Sequence, residues 1–308
     1  MYQEQTMTAN ETPPPLALTP PPDGKTRWGQ ERRLAFIDFR LQFERRLNRK
    51  DLRDFFGISA QQASLDLAAY AGLAPDLLRY DAKAKVYVPG EAFQPHYGCE
   101  DAGLYLKDIL ALGTDIIRRD ASFIGWLPEF GIVPTLKRPL AASQLAEVLA
   151  AMRERRCLQI SYQSMSRNEP SVRDISPHAL GHDGFRWHVR AYCHKRGGFA
   201  DFVFGRMLHT AQSAAAWVGG SRDTQWHTDV HLDLIPNPAL SPAQRAAIAL
   251  DYGMVDGHTR VSTREALLFY TLKRLGLNKR GDLEGTEQHI VLANKTELAP
   301  YLNQEVAG

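Results

Sequence analysis

A chain of 308 residues, 44% hydrophobic and 23% charged, has room for two or three domains with sizeable cores. Its net charge of +2 excludes a nucleic-acid coat protein of uniformly basic surface, so any basic face must be local. Cys99, Cys157 and Cys193 lie far apart and form no CxxC pair, which argues against a disulfide scaffold and against a structural zinc site. No apolar run reaches membrane-spanning length, and the N-terminus lacks the basic-then-apolar order of a secretion signal. A cytoplasmic protein with no membrane partner is expected.

Residues 1–26 are polar and proline-rich, with Pro13-Pro14-Pro15 and Pro20-Pro21-Pro22. Such a stretch buries too little apolar surface to offset its ordering entropy and reads as a tail. From Trp28 the pattern changes. Leu34, Phe36, Ile37, Leu41 and Phe43 fall largely at helical spacing among Arg32, Arg33, Arg40, Arg45 and Arg46, which predicts a helix ending near Leu47. A short helix from Lys50 to Phe56 follows and is closed by Gly57, a residue that tolerates the left-handed conformation. Ser59 can cap a third helix, Ala60 to about Tyr70, and Gly72 and Pro75 end it. Two β-rich runs, Leu77–Tyr80 and Lys85–Pro89, flank a polar turn and predict a hairpin. Helix, helix, turn, helix, hairpin is the order of a winged helix-turn-helix, here residues 27–95.

Residues 96–142 read as a helical linker, with a helix over Ala102–Ile117 and then breaks at Pro128, Pro134 and Pro139. Ser143–Arg155 is helical, with Leu145, Val148, Leu149 and Met152 on one face. Beyond it the pattern turns to strands: Leu158–Tyr162, Val172–Ile175, Phe185–Tyr192 and Phe202–Leu208, separated by glycine-rich turns. A small, strongly bent sheet over residues 143–220 is the natural product. Residues 221–308 add a strand (Val230–Ile235), helices (Pro242–Leu250, Arg264–Leu275) and a last strand (His289–Leu292), a compact α/β unit.

In a helix-turn-helix the second of the paired helices enters the major groove and its early residues reach base edges. Those positions hold Ser59, Gln61, Gln62 and Ser64, with Ala63, Leu65 and Leu67 assigned to the buried side. Glutamine pairs with adenine in a bidentate way, and serine bonds to several edges. Arg49, Lys50 and Arg53 suit phosphates, as do Lys83 and Lys85 at the hairpin tip. From Arg27 to Glu91 there are 12 Lys and Arg against 9 Asp and Glu, so affinity must come from placement rather than bulk charge. An ordinary three-helix domain with a solvated basic face fits the same pattern.

The segment from Leu158 to Thr210 is more specific. It runs Ile160-Ser161-Tyr162-Gln163-Ser164, then Arg173-Asp174-Ile175-Ser176-Pro177-His178, then Arg186-Trp187-His188-Val189-Arg190-Ala191-Tyr192, then Phe204-Gly205-Arg206. It resembles the WYL domain of bacterial transcription regulators and is similar to the branch that controls phage-defence operons, the BrxR and CapW regulators. The Trp-Tyr-Leu triplet of the name stands here as Trp187-His188-Val189. The resemblance implies an α+β multidomain protein: a winged helix-turn-helix, a central small bent β-sheet domain of WYL, Sm-like type, and a C-terminal α/β dimerisation domain.

Alternation along the strand puts Trp187, Val189 and Ala191 on an apolar face, and His188, Arg190 and Tyr192 on the other. Arg190 and Arg206 lie within β-rich runs, where arginine rarely stands without a partner. With Tyr162, Ser164, His178, His188 and Tyr192 they are the candidate ligand site, suited to a nucleotide or short nucleic acid through arginine–phosphate forks and ring stacking. The structural alternative is that Arg190 pairs with Asp174 or Asp201 as a bridge.

No GxGxxG, P-loop, HExxH or GxSxG motif is present, and His227 and His231 fall in an expected strand, so no catalytic residue, cofactor or metal ligand is assigned. The expected function is a homodimeric, sequence-specific repressor that binds a double-stranded DNA operator of a phage-defence operon, tuned by a nucleotide or oligonucleotide effector. An activator of the same architecture, or a nucleic-acid-processing or nucleotide-hydrolysing enzyme of a defence system, stays open at this point.

Overall fold

The computed structural model describes residues 25–97, 101–136, 138–277 and 287–302; most of the proline-rich tail and Cys99 lie outside them. The chain divides into two compact units, one ending at Pro134 and the other beginning at Thr135. None of the helices among the described residues is long and apolar enough to cross a membrane.

The first unit opens with α1 (Lys25–Phe39), which widens into a turn of π-helix at Arg40–Glu44 and stops at Arg45, φ 59°. The sequence pattern predicts one regular helix to near Leu47. The π-turn instead points both Arg40 and Leu41 inward, where the Arg40 guanidinium donates to the Phe123 carbonyl and to Glu44 Oε2. Then come α2 (Arg49–Phe56), α3 (Ala60–Ala71), the hairpin β1 (Leu78–Asp81) and β2 (Val86–Pro89), and α4 (Gly103–Gly113). Asn48 and Asp51 form a reciprocal capping box that starts α2.

Phe36, Ile37, Leu41, Leu52, Ala63 and Tyr70 are fully buried in the core of this unit. Phe36 meets the rings of Phe55, Phe56 and Phe123 at 4.9–5.4 Å. Buried Asp38 is satisfied by the Tyr70 hydroxyl and by the His96 and Tyr97 amides. Burial and this carboxylate together push the Tyr70 phenol far above its ordinary range. The wing is tied to the helices by two backbone hydrogen bonds between Leu47 and Tyr87, a link the sequence pattern does not show.

The second unit begins with α5 (Ala142–Glu154) and a five-stranded antiparallel sheet: β3 (Leu158–Tyr162), β4 (Ser171–His182), β5 (Trp187–Cys193), β6 (Gly198–Val203) and β7 (Met207–Gln212). The strand order is β6-β5-β4-β3-β7. The single strand expected over Phe202–Leu208 is broken by a 3-10 turn at Phe204–Arg206. That turn joins the two ends of the strand order, so the sheet must curl strongly. Val189, Ala191, Ile160, Ile175 and Phe202 form its inner face against Val148 and Ala151 of α5.

A short α6 (Thr224–His227) leads into a second sheet of order β10-β8-β9, built from β8 (Asp229–Pro236), β9 (Thr259–Arg264) and β10 (Ile290–Leu292). Helices α7 (Pro242–Asp251), α8 (Leu268–Arg274) and α9 (Lys295–Leu302) accompany it, over a core of Val230, Leu232, Leu234, Leu268 and Leu272.

Replacing Asp38 with Ala should strip the acceptor from Tyr70 and from two amides, a loss of about 3 kcal/mol. Hydrogen exchange should then quicken across residues 25–97 and not across the five-stranded sheet; unchanged exchange in both would show that Asp38 is dispensable.

Candidate nucleic-acid interface and sensing site

Gly57, at φ 65°, closes α2, and its N–H donates to Arg53 O. Two residues on, Ser59 Oγ accepts from the Gln62 amide at 3.1 Å and starts α3. This tight connection presents the first turn of α3 outward. Arg49, Lys50, Arg53, Ser59 and Gln61 are exposed, and Gln62 and Ser64 are half-buried. Arg49 Nη1 donates to Ser64 Oγ at 3.0 Å, which in turn donates to Ala60 O, so the cation of α2 lies alongside α3. Gln62 is drawn toward Asp66, at 3.1 Å, and Asp66 is itself held by Arg33. Gln61 is therefore the better presented glutamine. Lys83 and Lys85 are exposed at the hairpin tip. Leu65 departs from the expected inward position: it is 57% exposed, while Ala63 and Leu67 are buried.

In the second unit the structure assembles part of the expected ligand group. Arg190, 4% exposed, donates from Nε to Asp223 Oδ2 at 2.7 Å and from Nη2 to Asp223 Oδ1 at 3.0 Å. Nη2 also reaches Gln225 Oε1 at 2.8 Å, and Nη1 reaches Asp201 Oδ1 at 3.3 Å. Of the two partners weighed from sequence, Asp201 is present and Asp174 is not; Asp174 instead accepts from Ser213. Asp223, 1% exposed, also lies 3.0 Å from His178 Nε2. The His178 ring meets Phe199 and Trp226 edge-on, and Tyr192 meets Phe199. The backbone passes so close at Gly220 that a Cβ there would sit 2.6 Å from the His178 ring, so only glycine fits.

His188 is buried beside this group. Its Nε2 lies 3.0 Å from Asp183 Oδ2 and its ring is 4.8 Å from that of Tyr270 on α8. Its Nδ1 has no hydrogen-bond partner among the described residues.

Burial alone would push the Asp223 carboxyl up, but hydrogen bonds from His178 and Arg190 outweigh it and hold the group well below the usual carboxylate range. Asp183 behaves the same way, with burial outweighed by His188, by two backbone amides and by Arg186. Burial opposes the charge on Arg190, yet Asp223 and Asp201 carry its pKa above the ordinary value. At neutral pH the centre is thus an ion pair whose anion the chain supplies itself.

Tyr162, Ser164 and Arg206 bond outside this centre. Tyr162 is buried on the other face of the sheet, edge-on to Phe202 at 5.1 Å, and its hydroxyl accepts from the Val203 amide. Phe202 pairs with Val189, and Arg190 pairs with Asp201, which places Tyr162 and Arg190 on opposite faces. Ser164 bonds to Ser166. Arg206 is half-exposed in the 3-10 turn, and its carbonyl accepts from the Gln163 amide. Buried Arg173 lies over the Tyr162 ring at 5.7 Å. Sequence reasoning passed over Arg173, although it too stands in a β-run.

Trp187 is 52% exposed rather than part of the core. It begins β5 at the edge of the curl and packs on His182 at 4.7 Å. His227 ends α6 rather than joining the strand, and bonds to Gly220 O; His231 bonds to Ser262.

Comparison with known proteins bears on both units. The winged helix-turn-helix domain of the BrxR transcriptional regulator matches residues 29–111, the WYL domain residues 143–212, and the BrxR C-terminal dimerization domain residues 229–298. A DNA-binding transcriptional repressor CapW of Stenotrophomonas maltophilia is 43% identical over 92% of this chain and 96% of its own length. The chain belongs to the CapW family. A second CapW repressor, from Pseudomonas aeruginosa, is 42% identical over 88% of this chain and 91% of its own length. The solved proteasome accessory factor B/C of Arthrobacter aurescens is similar at 19% identity with a TM-score of 0.28; the match takes in 94% of this chain and about half, 51%, of that one. CapW relatives are named as regulators, and the reading of this chain as an enzyme falls away.

In this CapW-family chain Asp223, the residue that fills the Arg190 site, lies between the stretches matched by the WYL and C-terminal models. Its distance in sequence from Arg190 hid it from the pattern; its place as N-cap of α6, accepting from the Trp226 amide, is the local signal that points to it.

Asp223 titrates lower in the folded chain than its unfolded value of about 3.9. Its contribution is therefore complete above that value and is lost as pH falls through it toward the folded pKa. Asp223→Asn should lower stability at pH 7 by about 3 kcal/mol. It should also flatten part of the acid loss below about pH 4, Asp183 retaining its share. Urea titrations of both chains from pH 3 to 7 check this, and parallel pH profiles would disprove it.

Proposed function

We propose that this chain is a homodimeric transcriptional repressor of a phage-defence operon, acting in the cytoplasm on a double-stranded DNA operator. The observation that carries this reading is the geometry of α2, the tight turn and α3, with Gln61 exposed on the first turn of α3 and Arg49 of α2 bonded alongside it to Ser64. The CapW name of its relatives supports the sign of regulation. In this reading α3 lies in the major groove and Gln61 pairs with an adenine. Arg49, Lys50, Arg53, Lys83 and Lys85 hold phosphates, and two copies joined through the C-terminal domain address two half-sites.

The effector is a nucleotide or short nucleic acid taken by the WYL domain. Asp223 occupies the fork of Arg190 that a phosphate would use, at the head of the segment leading to the C-terminal domain. A phosphate that displaces this carboxylate would release the segment, and the difference in affinity between the two states would set the DNA response. Arg206, half-exposed in the 3-10 turn, would hold a further part of a longer ligand, while Tyr162 is packed into the core and leaves the ligand group.

Gln61→Ala should cost about 1–3 kcal/mol on the operator and far less on random duplex. A gel-shift titration with equal losses on both would remove the base-reading role. Short single-stranded oligonucleotides should release the native chain from operator DNA and should release Arg206→Ala less readily. Release that is identical in both chains, or absent from the native one, would overturn the effector assignment.

A further inference from the structure

The outward face of α3 has a composition that the major-groove reading does not use. The helix carries one charged residue, Asp66, and that residue is fully buried and paired with Arg33. All the cations near α3 that are assigned to phosphate stand on α2 or on the wing. Beyond Gln61, α3 exposes Leu65, at 57%, then Ala68 one turn on and Ala71 at its end. Gln61, Leu65 and Ala68 are spaced four and three residues apart and form one row along the helix. Ser64 beside Leu65 is pinned by Arg49, which sets the side of α3 that meets the backbone cations.

An isopropyl group in a major groove has one apolar partner available on the base edges, the C5-methyl group of a pyrimidine; thymine carries it and cytosine and uracil do not. We propose that Leu65, backed by Ala68, reads a thymine C5-methyl group one helical turn along from the base that Gln61 contacts. This proposal rests on α3 being the recognition helix. Leu65 is more than half exposed and stands outside the buried core, so its truncation tests the contact rather than the fold.

The test uses the full-length chain and a duplex that it selects from a randomised pool. Each thymine of that duplex is replaced in turn by deoxyuridine, which removes the methyl and leaves the pairing edges. At one position in each half-site the native chain should lose affinity about fourfold, the value of one buried methyl group. Leu65→Ala should bind the thymine and uracil duplexes equally at that position. In a second arm, cytosine is placed there; methylating its C5 should recover about fourfold for the native chain and nothing for Leu65→Ala. A thymine-to-uracil ratio that survives in Leu65→Ala, or no position that distinguishes the two bases, overturns the proposal. Sequence-selective binding that depends on Gln61 but ignores the methyl removes the Leu65 contact alone. If no duplex is enriched, or Gln61→Ala leaves the selected sequence unchanged, the placing of α3 in the groove fails and the Leu65 proposal with it.

Discussion

A guanidinium at 4% exposure in the middle of a β-sheet requires counter-charge, and the sheet of this protein does not supply enough of its own. Asp201 on the neighbouring strand gives one hydrogen bond. The bidentate partner, Asp223, comes from the segment after the sheet and brings Gln225 and the contact to His178 with it. Much else in the second unit follows from meeting that requirement. The backbone must close over His178 at Gly220, α6 starts on the same carboxylate, and Tyr270 of α8 reaches Asp201. A buried pair of this kind adds little net stability over an apolar substitute, yet losing one member is costly. That asymmetry makes the centre hold one arrangement firmly.

The first unit meets a different constraint. Its buried charges, Asp38, Asp66 and Arg40, are each turned to internal use, positioning α1, α3 and the segment near Phe123. The cations of α2 and the wing remain at the surface. This division keeps α3 free of charge on its outer face and leaves the exposed cations to α2 and the wing. The two backbone bonds between Leu47 and Tyr87 hold the wing to the helices, so the spacing of the two sets of cations is fixed by the fold.

The helices and most strands were legible because they are written in local signals. Gly57 and Ser59 announce the turn before α3, and the apolar period of α5 and the alternation of β3 are clean. The strand β9 was not foreseen, since Thr259–Arg264 has a single apolar residue, Val261, and owes its form to pairing with β8. Trp187 and Leu65 were each misplaced by grouping them with apolar residues two positions away, Val189 in one case and Ala63 and Leu67 in the other. The helical turn from Ala63 carries Leu65 to the far side, and Trp187 sits where the curled sheet opens. At the candidate site the arginine was readable from its improbable place in a strand, but its main partner lies 33 residues away, a separation that no local pattern encodes. Tyr162 and Arg190 are both polar residues of β-rich runs, and only the register and the core packing reveal that they face apart.

The position of Asp223 bears on how such proteins can be rebuilt by recombination. The stretch matching the WYL domain ends at residue 212, and a crossover there would part Arg190 from its principal counter-charge. A hybrid joined at that boundary would inherit a stranded cation in its interior, while one joined beyond α6 would carry the pair intact. The unit of exchange in this architecture is therefore longer than the sheet domain. It takes the connecting segment along, and the sheet domain could be transplanted between regulators only together with the first residues of the road to its neighbour.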